Sequence, residues 1–127
     1  MADMQTALRS RIVAAVGHSQ VYWVNVPQGK SLPYVRLQTI SDPRPDDLDG
    51  YQGARETRVQ VDCFAATYEA ARTSAEAVAT AMETPGTFDS VVFGRVEVEG
   101  PRDLGDDTTT GFTHQASMDL LVWHRLA

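Results

Sequence analysis

The residues able to do chemistry in this chain are few and scattered. It has three histidines, His18, His114 and His124, and one cysteine, Cys63. His18 follows the glycine that ends a helical segment, His114 alternates with apolar neighbours, and His124 stands near the C-terminal end. No pair has the close spacing of a zinc site, and neither Cys-x-x-Cys nor His-Glu-x-x-His occurs. The expectation is one half-buried strand histidine and two on the surface. Cys63 falls on the apolar side of an alternating strand, where a thiol behaves as a small buried hydrophobe and not as a nucleophile. There is no Gly-x-Ser-x-Gly elbow and no glycine-rich phosphate loop. The nearest approach to a metal loop is acidic. Asp47, Asp49, Gly50 and Glu56 fall at the third, fifth, sixth and twelfth places of an EF-hand register, but Pro45 would be the first ligand and the flanks read as strands. A solvated acidic loop fits better. No catalytic, metal or cofactor-binding residue is assigned, and the chain reads as a non-enzyme.

The elements that would position any site follow from periodicity. Glu56 to Phe64 alternates Val59, Val61 and Cys63 against Arg58, Gln60 and Asp62, the pattern of a sheet with one face buried. Thr67 is placed to cap the helix Tyr68–Met82, whose stripe is Tyr68, Ala71, Ala75, Val78, Ala79 and Met82, and Pro85-Gly86 ends it. An earlier helix, Asp3–Val16, repeats Met4, Leu8, Ile12 and Val16 and ends at Gly17. Val21–Val26, Pro33–Ile40, Ser90–Glu99 and Phe112–Arg125 read as further strands, with a bulge or bend at Gly94. On the last strand Leu121 and Trp123 make the polar side apolar too, as if a neighbouring subunit covered it.

Between these lie two polar connectors, Ser41–Gly53 and Gly100–Gly111, the second able to extend the pairing around Arg102–Leu104. The order α-β-β-β-α-β-β predicts one α+β domain over residues 1–127: a largely antiparallel sheet with two helices packed on one face.

Bulk composition agrees. With 127 residues and 43% hydrophobic content the chain can build a single core. No apolar run approaches the ~20 residues that cross a bilayer, and Met1–Gln5 has no signal-peptide character. A net charge of -6, with Lys30 the sole lysine among scattered arginines, argues against a surface that grips nucleic acid. Assembly in a cytoplasm is expected.

Three phrases carry a family likeness: Leu32-Pro-Tyr-Val-Arg-Leu-Gln38, Arg58-Val-Gln-Val-Asp-Cys-Phe-Ala-Ala-Thr-Tyr-Glu-Ala-Ala71, and Met118-Asp-Leu-Leu-Val-Trp-His124. With the leading helix and the Asp-Gly loop before the central strand, the chain from about Leu8 to His124 resembles the tail-completion (tail terminator, or tail-to-head joining) proteins of long-tailed phages and gene transfer agents. The resemblance implies an α+β subunit of a homo-hexameric ring at the head-proximal end of the tail tube. Such a ring stops tube growth and docks to the head–tail connector.

The partners implied are other copies of the chain, the major tail tube protein and the connector, with DNA passing through the lumen unbound and no membrane involved. The family has no catalytic residues to carry over and no cofactors. The interface residues expected are Asp42, Arg44, Asp46, Asp47, Asp49, Tyr51, Arg55 and Arg58 near the first connector, and Arg102, Asp103, Asp106 and Asp107 in the second. Arg36, Arg55 or Arg58 is expected to meet aspartates of a neighbour. The rival reading is a dimeric ferredoxin-like small-molecule-binding protein or cofactorless enzyme. It requires a pocket between sheet and helices that uses His114, Trp23 and Tyr34.

Overall fold

A computed structural model describes residues 3–43, 46–47, 50–51, 54–108 and 111–126; of Asp46, Asp47, Gly50, Tyr51, Asp106, Thr108 and Leu126 it describes the backbone alone. The elements in chain order are α1 (Met4–Val16), β1 (Val21–Trp23), β2 (Tyr34–Ser41), β3 (Asp46–Asp47), β4 (Gly50–Tyr51), β5 (Arg55–Ala65), α2 (Tyr68–Ala81), β6 (Gly86–Phe88), β7 (Val91–Thr108) and β8 (Gly111–Leu126). Six strands form one sheet in the order β1-β2-β5-β8-β7-β6, while β3 and β4 make a separate two-stranded ribbon. The β1–β2 pair is parallel and every other pair antiparallel.

Both helices are capped as their flanking residues dictate. Asp3 accepts from the Thr6 amide at 2.7 Å, and Thr67 accepts from the Ala70 amide at 3.1 Å. Gly17 closes α1 in the left-handed conformation (φ 82), which a glycine adopts without steric cost. One core joins the helices to one sheet face: Met4, Leu8 and Ile12 of α1 and Ala71, Ala75 and Val78 of α2 meet Val59, Val61 and Cys63 of β5 and Met118, Leu120 and Val122 of β8. Burying a leucine or isoleucine such as Leu8 or Ile12 contributes about 1.5–3 kcal/mol. The alanines of α2 let it lie close to the strands.

The observed order differs from the one expected. A strand absent from the sequence reading, β6, follows α2 and pairs with Val91–Phe93 through a tight turn at Asp89 and Ser90, both at positive φ (50 and 63). Three residues next to a proline give almost no alternation to detect. The first strand ends at Trp23 and not Val26, because Val24 takes φ 65 and turns the chain away. The Ser41–Gly53 connector contains the β3–β4 ribbon, with Asp46 opposite Tyr51 and Asp47 opposite Gly50.

The largest correction concerns Gly100–Gly111. Gly100–Thr108 is strand, since β7 continues to Thr108 and pairs with β8 as far as Thr108–Gly111. Two one-residue bulges explain why alternation failed there: the register shifts between Phe93 and Val96 and again between Glu99 and Arg102. The first, at Gly94, brings Val96 and Val98 onto the core side already occupied by Val91 and Phe93.

Candidate interaction surfaces

The sheet face away from the helices carries a polar ladder. Strand alternation places Arg36, Arg58, Gln60, Asp62, Ser117 and Asp119 on this side, and cross-strand register brings opposite charges together. Arg36 Nη2 donates to Asp62 Oδ2 at 3.0 Å, and Gln60 Nε2 reaches both oxygens of that carboxylate at 3.1 Å. Arg58 Nη1 lies 3.2 Å from Asp119 Oδ2 and 3.3 Å from Glu99 Oε2. Arg102 Nη2 reaches Ser117 Oγ at 3.2 Å and Asp119 Oδ1 at 3.7 Å. Asp62 is fully buried. Burial pushes its carboxyl up, but hydrogen bonds from Ser117, Gln60, Arg36 and Gln115 outweigh it and hold the group below the usual carboxylate range.

A second cluster ties the two ends of the Ser41–Gly53 connector. Arg55 pairs with Asp42 across its base, and Thr57 Oγ1 donates to Asp42 Oδ1 at 2.8 Å. Beneath them His124 is buried with Nε2 2.7 Å from Thr57 Oγ1, so the expectation of a surface histidine fails. Burial is the main cause that pushes the His124 imidazole down, with Arg55 adding to it and Asp42 opposing. A parity signal existed. Thr57 shares the buried side with Val59, and His124 shares it with Val122, so polar residues at apolar parity mark a hydrogen-bonded pair.

At the opposite end of the sheet the β7–β8 hairpin outruns its neighbour. The last β5 residue, Ala65, pairs with His114, so Gly111–Thr113 and Asp106–Thr108 extend as a two-stranded arm. Phe112 lies half-exposed across Gly105, where an added Cβ would collide with its ring. Its cross-strand partner is Asp107. The Phe112 ring continues to His114 (centroids 4.8 Å apart) and on to Tyr68 (6.3 Å). Tyr68 Oη donates to Asp103 Oδ2 at 3.3 Å, and Arg72 Nη1 lies 3.7 Å from Asp103 Oδ1, which braces the arm's root against α2.

A third feature is a groove of about 690 Å³ between α1, the end of α2 and β6, lined by residues including Arg11, Ala14, Ala15, Ala81 and Phe88. Arg11 is nearly buried. Its Nη2 donates to Ala81 O at 2.8 Å and Thr84 O at 2.9 Å, and its guanidinium lies 4.2 Å from the Phe88 ring centroid and 4.9 Å from that of Phe93. No carboxylate pairs with it among the described residues, and Nη1 is buried without a partner there. The carbonyls ending α2 and two aromatic faces compensate the charge. Sequence reading passed over Arg11, although it sits three residues from Leu8, on the apolar stripe of α1.

The interface residues expected from the sequence therefore separate. Asp42 and Arg55 sit at the base of the first connector; Asp46, Asp47 and Tyr51 belong to the β3–β4 ribbon; Arg44 and Asp49 lie outside the described residues. Arg58 and Arg102 are on the polar face, Asp103 is at the root of the arm, and Asp106 and Asp107 are on the arm. Arg36, Arg55 and Arg58 each find an acid within their own chain.

The residues of the rival pocket do not converge. Tyr34 stacks on Phe64 on the polar face, whereas Trp23 Nε1 donates to Gln5 O and His114 joins the arm on the helix side. Burial pushes the Cys63 thiol up to about 12, so it is a poor nucleophile. Among the described residues no group of three or more His, Cys, Asp or Glu could hold a metal, and no helix is long and apolar enough to cross a membrane. Asp49 of the EF-hand-like register lies outside those residues.

What distinguishes this α+β protein is on its outside: an arm, a laddered polar face, a pinned loop base and an apolar groove. The chain belongs to the family of the tail completion protein gp17, whose family model matches residues 2–125. Its fold is similar to that of a chain in a solved structure titled "Virion of native gene transfer agent (GTA) particle", with a TM-score of 0.59 and 21% identity over 97% of this chain and 93% of that one. No curated protein matches the sequence.

Proposed function

We propose that this protein is a structural component of a phage or gene-transfer-agent tail that assembles as a ring, homo-hexameric, on the head-proximal end of the tail tube. There it stops tube growth and joins the tail to the head connector. Family membership over residues 2–125 carries this reading. The geometry supports it in two ways. The first connector and the arm lie at opposite ends of the sheet, so the connector can project to the tube or the head connector while the arm reaches a neighbouring copy. The arm carries an aromatic, Phe112, that stays half-exposed among the described residues. Asp42, Arg44, Asp46, Asp47, Asp49, Tyr51 and Arg55 would serve one end, Asp103, Asp106 and Asp107 the other, and Arg58 and Arg102 the face between. The net charge of -6 suits a lumen through which DNA slides, since like charge opposes phosphate contacts.

The deciding experiment is electron microscopy of the purified protein, alone and with tail tubes. Closed rings capping one tube end are expected; a monomer that caps no tube overturns the proposal.

A further inference from the structure

We propose that adjacent copies in the ring join by a knob-and-groove contact: the Phe112–Asp107 tip of one subunit's arm seats in the α1–α2–β6 groove of the next. This rests on the self-association proposed above and adds which surfaces meet. The knob is preformed. Phe112 is 49% exposed, is backed by Gly105, and has Asp107 beside it on the same face of the hairpin. Asp107 has no partner among the described residues.

The groove is complementary. It is apolar along Ala14, Ala15 and Phe88, and its wall contains Arg11, a cation with no carboxylate partner among the described residues. A half-buried aromatic beside an acid fits an apolar cleft whose cation has a free Nη1 and no carboxylate among the described residues. Asp89, the one acid of the groove lining, is exposed at the rim, where solvent screens it.

Topology forbids the contact within one chain. The groove wall is built at the Phe88–Val91 end of the β6–β7 hairpin, and the knob lies at the other end of β7, on the order of 45 Å of strand away. Two different patches at opposite ends of a subunit give a head-to-tail contact, the type that closes rings.

Two single-surface variants test this. Phe112→Ala with Asp107→Lys removes the knob, and Ala14→Glu blocks the groove from an exposed helix position. Thr87→Glu is a second groove block should Ala14→Glu fail to give the wild-type circular dichroism spectrum. Sedimentation velocity and counting of rings on tail tubes are applied to each. Each variant alone is expected to self-associate at least about tenfold more weakly than wild type. An equimolar mixture is expected to give a one-to-one dimer and go no further, because only one intact knob and one intact groove can meet. A wild-type ring that persists in either variant, or a mixture that stays monomeric, overturns the contact while leaving the ring reading in place. Loss of tube capping with an unchanged free ring would assign the groove to the tube protein and also overturns it. Wild-type protein that is monomeric both free and on tubes overturns both.

Discussion

Thr57 Oγ1 lies 2.7 Å from His124 Nε2, beneath the base of the acidic connector. The same hydroxyl is 2.8 Å from Asp42 Oδ1. A carboxylate only accepts, so Thr57 gives its single proton to Asp42 and His124 Nε2–H donates to Thr57. The tautomer is thereby fixed. Thr57→Val, nearly isosteric, strands the buried His124 Nε2–H, leaves Asp42 only its Arg55 partner, and should destabilise the fold by about 1–3 kcal/mol, read as a lower urea midpoint.

The same histidine sets a pH dependence. Its folded pKa lies below the unfolded value of about 6.5, so the unfolded chain takes up the proton first as pH falls. Its contribution is complete above the unfolded value and is lost as pH drops through the lower folded one. Urea midpoints should therefore fall between about pH 7.5 and pH 5, and His124→Gln should flatten that slope. Equal slopes would count against it. Asp62 acts in a more acidic window, its contribution present above the ordinary carboxylate pKa of about 3.9 and lost as pH falls through its depressed one.

Arg11 holds the end of α2 by bonding the Ala81 and Thr84 carbonyls between two phenylalanine rings. Arg11→Met should cost about 2–4 kcal/mol by orphaning both carbonyls and losing the ring contacts. Arg11→Lys, which keeps a charge but not the fork, should fall between it and wild type. Thermal melts of the three proteins decide the ranking.

Gly105 leaves room for the Phe112 ring. Gly105→Ala should displace that ring with little loss of global stability, because the ring is half-exposed and can swing away. In a proton spectrum the ring-current shifts at residue 105 should vanish while core methyl signals stay in place. Disturbed core signals would mean the arm and the core are one cooperative unit.

Arg58→Glu places a third acid beside Glu99 and Asp119. The monomer fold should survive, since Arg58 is a partly exposed member of the ladder away from the buried Asp62, but the proposed ring should dissociate. An unchanged sedimentation profile would remove the polar face from the interface.

Deleting residues 44–49 takes out much of the first connector while leaving Asp42, Arg55, Thr57 and His124 in place. The protein should still fold and yield overlong or headless tails. Normal particles by electron microscopy would rule out a role for this segment.

The helices, the central strand and the core were legible because each obeys a single unbroken period. Thr67 capped α2 as expected, and Val59, Val61 and Cys63 pointed inward. The arm was not legible because two bulges reset the alternation, and because glycine, proline and aspartate from Gly100 to Asp107 imitate a turn. Strand β6 was too short to show a period. The buried Thr57–His124 pair and Arg11 required the parity of each polar residue to be checked against its apolar neighbours. The groove is a property of three packed elements, and no local stretch encodes it.

One continuous strand links the protein's two ends, and this makes the molecule a caliper whose opening is set by counting residues. Inserting two residues into both β7 and β8 beyond Arg102 and Ser117 would preserve which side every residue faces and lengthen the reach by about 7 Å. A single-residue insertion in each would turn Phe112 to the reverse side. Collar diameter, on this view, is written in the length of a hairpin.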